Sequence, residues 1–114
     1  MTEVRRLTVK ELSQMQGFRA VAMPDADREI SGIYIGDLLS WVMGRAKADD
    51  AWITIMSNIN IIAVASLADV SCIILSEGVT VDDDIIATAR QKDVNILSSA
   101  LPSYETAVKI SQMI

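Results

Sequence analysis

Apolar and polar positions alternate along this chain in two rhythms, one of period two and one close to helical. The first helical signal is Thr8-Val9-Lys10-Glu11, a capping box in which the Thr8 hydroxyl accepts from the Glu11 amide while the Glu11 carboxylate reaches back. With Leu7 as a staple before it and Gly17 as a stop behind it, a helix over 8–16 is predicted. Phe18-Arg19-Ala20-Val21-Ala22 then alternates as a short strand, and Pro24-Asp25-Ala26-Asp27 reads as a turn. Residues 30–35 are β-rich and end at Gly36-Asp37. Asp37 is the natural N-cap of a helix over 38–45, whose Leu38, Leu39, Trp41, Val42 and Met43 put apolar side chains around most of its surface.

From residue 50 onward strands and helices are expected to take turns. Residues 51–55 form a strand, 57–67 an Ala-rich apolar segment, and 70–75 a continuous apolar run of the kind a buried parallel strand shows. A helix begins at Thr80-Val81-Asp82-Asp83-Asp84, with carboxylates in its first turn and Ile85, Ile86 and Ala89 facing inward. A strand over 93–97 and an amphipathic helix over 102–113 follow, the latter with Tyr104, Ala107, Val108 and Ile110 on its apolar side. Residues 57–67 fit a helix, since parallel neighbours need a crossover of about a dozen residues and Ala63, Ala65 and Ala68 favour helix. The alternative is a hairpin over 51–66 around Ser57-Asn58. Five to six strands and four to five helices make one domain over 1–114, an α/β fold with right-handed crossovers on a mostly parallel sheet.

Composition narrows the chemistry. The 114 residues include no His and one Cys, which removes a Ser-His-Asp triad, a histidine-held metal and a disulfide scaffold. A net charge of -5 with dispersed Lys and Arg argues against nucleic acid. Residues 1–10 carry Arg5, Arg6 and Lys10 without an apolar stretch behind them, so no targeting segment is expected. The apolar region 59–75 is 17 residues long and interrupted by Asn60, Ser66, Asp69 and Ser71. That is short of the roughly 20 clean residues a membrane span requires. A soluble, cytoplasmic domain is expected.

No G-x-x-x-x-G-K-[ST] loop and no G-x-G-x-x-G stands in the chain, so both nucleotide fingerprints are absent. Gly32 and Gly36 read first as strand punctuation, and Asp37 sits where an anion at the following helix would go. Asp82-Asp83-Asp84 reads as helix capping, because successive helical side chains diverge by about 100 degrees and do not converge on one cation. No metal or cofactor is expected. Cys72 belongs to the core, and Trp41 and Trp52 are read as core anchors, with a subunit interface as the alternative.

The segment Asp27-Arg28-Glu29-Ile30-Ser31-Gly32, followed by Tyr34-Ile35-Gly36-Asp37-Leu38-Leu39-Ser40, resembles the DRTGG domain family. That family is named for an Asp-Arg-Thr-Gly-Gly pattern before a strand that leads into a Gly-Asp-capped helix. Asp27 and Arg28 match; Ser31 and Gly32 stand where Thr and the first Gly are usual after an inserted Glu29-Ile30, and Ile33 replaces the second Gly. The resemblance extends to Trp52-Ile53-Thr54, to Ile73-Ile74-Leu75-Ser76-Glu77-Gly78 and to Ser103-Tyr104-Glu105-Thr106-Ala107. It implies a three-layer α/β/α domain similar to the N-terminal domains of HPr kinase/phosphorylase and of Mur ligases. It also implies a non-catalytic regulatory module, often dimeric. Relatives occur beside nucleotide-sensing CBS domains in pyrophosphatases, and stand-alone members beside iron-iron hydrogenase genes, which implies an accessory role in hydrogen or redox metabolism.

The candidate ligand-binding residues are Asp27, Arg28, Ser31, Gly32, Gly36, Asp37, Ser57 and Asn58. Structurally, Asp27 would brace the turn after Pro24, and Arg28 would pair with Asp25, Asp37 or a strand-end carbonyl. Functionally, the Arg28 fork would grip a carboxylate or phosphate, with Ser31 and Asn58 adding hydrogen bonds at the C-terminal edge of the sheet. Two readings follow. One is a homodimeric regulatory or interaction module that binds a protein partner or a small anionic ligand. The other is a small enzyme using Asp37, Asp27 and Ser57.

Overall fold

The computed structural model describes residues 6–114, so Met1 to Arg5 of the stretch read for a targeting segment lie outside the described residues. Leu7–Thr8 (β1) runs into Val9–Ser13 (α1) through the expected capping box. The Glu11 amide donates to Thr8 Oγ1 at 3.2 Å, and the Thr8 amide donates to Glu11 Oε1 at 3.0 Å. The helix stops short of the expected residue 16, and the chain turns through Gly17 at φ +95°, which a side chain would resist. Phe18–Ala22 (β2) follows as predicted.

The β-rich stretch over 30–35 is two strands, not one. Glu29–Ile30 (β3) pairs antiparallel with β1, while Gly32–Ile35 (β4) joins the main sheet. The break falls at Ser31, whose amide donates to Asp49 O at 3.0 Å. Leu39–Arg45 (α2), Asp50–Thr54 (β5), Asn60–Ala68 (α3), Cys72–Leu75 (β6), Asp83–Gln91 (α4), Ile96–Ser99 (β7) and Ser103–Ser111 (α5) complete the chain. The segment after β5 is thus a helix rather than a hairpin arm. Ile61, Ile62, Val64 and Ala65 drive it against the sheet, and the crossover lets β5 and β6 run parallel.

The main sheet has the order β2-β7-β6-β5-β4, parallel except for β2, which pairs antiparallel with β7 at one edge. Because each crossover steps one strand the same way, α2, α3 and α4 cover one face. There Val42, Ile61, Ala65, Ile85 and Ala89 pack on Trp52, Ile73, Leu75 and Ile96. On the other face α1, α5 and the small β1–β3 ribbon bring Leu12, Ile30 and Ile110 against Ala51, Ile53, Cys72, Ile74 and Leu97. Period-two alternation in the strands therefore feeds two cores, giving the expected three layers. Among the described residues no helix is long and apolar enough to cross a membrane.

Three expectations need correction. β7 begins at Ile96 rather than residue 93, because Asp93 sits at φ 57° and ends the turn from α4. Tyr104 is exposed, since Thr106 and Ile110 face inward on α5 and put Tyr104 on the far side. The two tryptophans separate: Trp52 is buried and its Nε1 donates to Gly36 O at 2.9 Å, whereas Trp41 is 53% exposed on α2.

Candidate functional site

The topology splits the candidate residues between opposite ends of the parallel strands. At the N-terminal end, Asp49, Asp69 and Asp93 precede β5, β6 and β7, each in the left-handed conformation at φ 68°, 59° and 57°. Asp tolerates that region better than most residues, so each serves as a sharp turn from crossover to strand. Two of these carboxylates hold Arg28. Its Nε and Nη2 donate to Asp49 Oδ1 at 3.1 and 3.0 Å, and Nη2 also donates to Asp69 Oδ1 at 2.9 Å and Asp69 O at 2.7 Å. Burial works against the guanidinium charge, but the hydrogen bonds and charges of Asp49 and Asp69 outweigh it and raise the Arg28 pKa.

Arg28 therefore does not pair with Asp25 or Asp37, and it does not stand at the C-terminal edge. The turn after Pro24 is braced by Asn95, not by the exposed Asp27. Asn95 Nδ2 donates to Asp25 O at 2.7 Å and Ser71 O at 3.0 Å, while its Oδ1 accepts from the Asp25 amide at 2.9 Å. The Ser71 hydroxyl in turn donates to Glu29 O. Gly32 gives room to the Asp50 carboxylate: a Cβ there would lie 2.5 Å from Asp50 Oδ1 and force that side chain to shift. Cys72 opens β6 at this same end, where burial pushes its thiol up to about 12, with the Arg28 charge pulling the other way. A nucleophilic role is thereby disfavoured.

Gly36, Asp37, Ser57 and Asn58 stand at the C-terminal end, on the loops that leave β4 and β5. Asp37 does not cap α2; Leu38 occupies the N-cap position with no side-chain hydrogen bond. The Asp37 carboxylate is instead spent across the sheet, where Oδ1 accepts from the Thr54 hydroxyl at 2.8 Å and the Ile55 amide at 3.0 Å. Thr54 is buried, so its hydroxyl needs that partner more than an exposed helix end does. Asn58 Oδ1 accepts from the Asn60 amide at 2.9 Å, and Ser57 is exposed. Gly36 leaves room for the Tyr34 ring, whose Cε2 would lie 2.8 Å from a Cβ.

Around these polar groups the surface is apolar. Ile35, Leu38, Ile55 and Ile59 are 48%, 58%, 47% and 47% exposed, and the Asp37 to Ile55 hydrogen bond draws their two loops together. Periodicity assigned these side chains to elements without showing that they stay uncovered; the signal missed was that Ile35 and Ile55 fall at strand exits and Leu38 and Ile59 at the N-caps of the helices that follow.

The two ends are separated by strands of four to five residues, about 13–17 Å. Arg28 and Ser31 thus do not meet Asn58, and Asp27 does not meet Asp37 and Ser57, so neither the single anion grip nor the three-residue catalytic set is assembled. Asp82, Asp83 and Asp84 are exposed at the start of α4, and no group of three or more His, Cys, Asp or Glu among the described residues is placed to hold a metal. The N-terminal end is a satisfied polar latch. The C-terminal end is an open apolar patch with Ser57 and Asn58 at its margin.

Comparison with known proteins agrees with this architecture. No curated protein matches the chain. Among solved structures, the CBS and DRTGG domains of the regulatory region of Clostridium perfringens pyrophosphatase, complexed with the activator diadenosine tetraphosphate, are similar with a TM-score of 0.70 and 14% identity. That match covers 90% of this chain and 45% of that one, so the chain spans less than half of the related region. The DRTGG domain matches residues 19–113, from β2 through α5, and on that match the chain belongs to the DRTGG domain family.

Proposed function

We propose that this chain is a one-domain cytoplasmic regulatory or interaction module without catalysis of its own. Two copies associate through the apolar patch at the C-terminal end of the sheet, and a small anionic or nucleotide ligand at its margin gates that association. The observation that carries the reading is the exposure of Ile35, Leu38, Ile55 and Ile59 at the end of β4 and along the two segments that the Asp37 to Ile55 hydrogen bond joins, because clustered exposed apolar side chains mark interaction sites. Gly36, Asp37, Ser57 and Asn58 are the half of the candidate set that a ligand at this patch would meet. Asp27, Arg28, Ser31 and Gly32 are assigned to the other end. The nucleotide bound to the related regulatory region makes nucleotides the first class to test. An accessory role in hydrogen or redox metabolism, implied by the resemblance to stand-alone family members, is the proposed setting.

Light scattering together with a thermal-shift panel of nucleotides and acyl phosphates tests the reading. A mass near twice 12.4 kDa, and a melting shift that Ser57→Ala with Asn58→Ala removes, is the expected result. A monomer that no ligand stabilises would sink it. A turnover that disappears in Asp37→Asn would overturn the non-catalytic assignment.

A further inference from the structure

β4 is an edge strand, hydrogen-bonded to β5 on one side and uncovered by any strand of the described residues on the other. The Gly36 amide donates to Ile53 O at 3.2 Å, which sets the alternation: Gly32, Tyr34 and Gly36 direct their backbone groups to β5. Ile33 and Ile35 therefore turn their N–H and C=O groups outward. Beside this open edge lies a hollow of about 470 Å³ lined by Gly32, Ile33, Tyr34, Arg45, Lys47 and Asp50.

The charges in that hollow are unbalanced toward the outside. Asp50 is 7% exposed, its Oδ2 accepts from the Lys47 amide at 2.8 Å and its Oδ1 lies against Gly32. Arg45 and Lys47 are exposed and form no salt bridge among the described residues, and the Arg45 guanidinium is stacked 3.8 Å from the Trp41 ring centroid. A chain with net charge -5 thus places two cations without a carboxylate partner among the described residues, Arg45 stacked on Trp41 and Lys47, beside an open run of parallel-sheet backbone.

The geometry points to an extended acidic segment of a partner protein, added to the sheet as a strand along β4, with its carboxylates at Arg45 and Lys47. A second copy fits this edge less well. β4 itself, Gly32–Ile35, carries no carboxylate to set against these cations, and Asp37 just beyond it already accepts from Thr54 and Ile55 through Oδ1. The edge strip shares Ile35 with the apolar patch but adds Ile33, Arg45 and Lys47, which the patch lacks, so substitutions at Arg45 and Lys47 and at Leu38 separate the two surfaces.

The test uses the full chain, isotope-labelled, titrated with a capped peptide of alternating Glu and Val. Exchange of the Ile33 and Ile35 amides is expected to slow, and emission of the exposed Trp41 to change with it. Arg45→Glu combined with Lys47→Glu, both at exposed positions, is expected to weaken binding by about tenfold or more and to transfer preference to a second capped peptide of alternating Lys and Val. Melting curves of the double variant confirm that it folds. A peptide N-methylated on alternate residues keeps the charges but loses the donors, and is expected to bind poorly. Three results would each overturn the assignment: no protection at Ile33 and Ile35, equal binding of the N-methylated peptide, or protection of Ile33 that appears with protein concentration alone in Leu38→Asp, where the proposed association at the patch is removed. Ile33 lies outside the apolar patch, so its protection by the peptide is expected to be unchanged in Leu38→Asp, which distinguishes a failure here from a failure of the proposed association.

Discussion

The two ends of the parallel sheet carry opposite kinds of surface, and the contrast reverses a natural intuition. The N-terminal end gathers the side chains that look chemically capable: Arg28, Asp49, Asp69, Asn95 and Cys72. Each is committed, Arg28 to two carboxylates and a carbonyl, Asn95 to Asp25 and Ser71, and Cys72 to the core. The C-terminal end leaves Ile35, Leu38, Ile55 and Ile59 exposed beside Asp37, Ser57 and Asn58. A polar group already satisfied within the fold has little left to offer a ligand, whereas uncovered apolar area gains free energy from any partner that dries it. Capacity for interaction here follows from what is left over, not from how much polar chemistry is present.

Breaking the latch should cost stability and leave the proposed association intact. Asn95→Ala removes three hydrogen bonds at a buried position, and strands the Asp25 amide and Ser71 carbonyl. It should destabilise the fold by about 3 kcal/mol in chemical denaturation, with the mass of the native protein unchanged.

Cys72 makes the same end sensitive to alkali. Its folded pKa of about 12 lies above the ordinary 9.0, so the folded thiol stays protonated where the unfolded one ionises. The stability it supports is intact below pH 9 and declines by about 1.4 kcal/mol per pH unit toward pH 12. The difference in melting temperature between the parent and Cys72→Ala across that range isolates the contribution from other groups that titrate there. A constant difference would show that the thiol is not shielded.

Arg28→Ala should cost about 1–2 kcal/mol, limited by the exposure of Asp49 and Asp69, and the loss should shrink at high salt. Arg28→Lys should recover less than half of it, because the ammonium ends short of the Nη2 position that meets Asp49, the Asp69 carboxylate and the Asp69 carbonyl, and it lacks the Nε donor to Asp49. The smallest effect on stability is expected at the other end. Leu38→Asp should change unfolding free energy by no more than about 0.5 kcal/mol and yet abolish association by light scattering. If it unfolds the protein instead, or leaves the mass unchanged, the contrast between latch and patch fails.

Much of this was legible along the chain. The Thr8 capping box, the crossover helix after β5, the apolar run of β6 and the buried Cys72 all follow from local rules, and the structure obeys each. Arg28 was recognisable as a residue with a purpose, but its partners were not, because Asp49 and Asp69 lie 21 and 41 positions away and nothing local distinguishes them from other surface acids. Asp37 misled for a related reason. Beside a predicted helix its best local use is a cap, and only the approach of β5 supplies a buried hydroxyl that competes for it.

The sequence by itself determined the alternation of strands and helices, the parallel sheet with its two apolar faces, and the absence of imidazole and phosphate-loop chemistry. These depend on periodicity, propensity and composition, which act over a turn or two of chain. Tertiary structure alone decided which end of the sheet each polar residue occupies, which charges neutralise one another, and which apolar side chains stay uncovered. Those outcomes depend on distances between segments far apart in the chain, and they are fixed only when the strands take their order in the sheet.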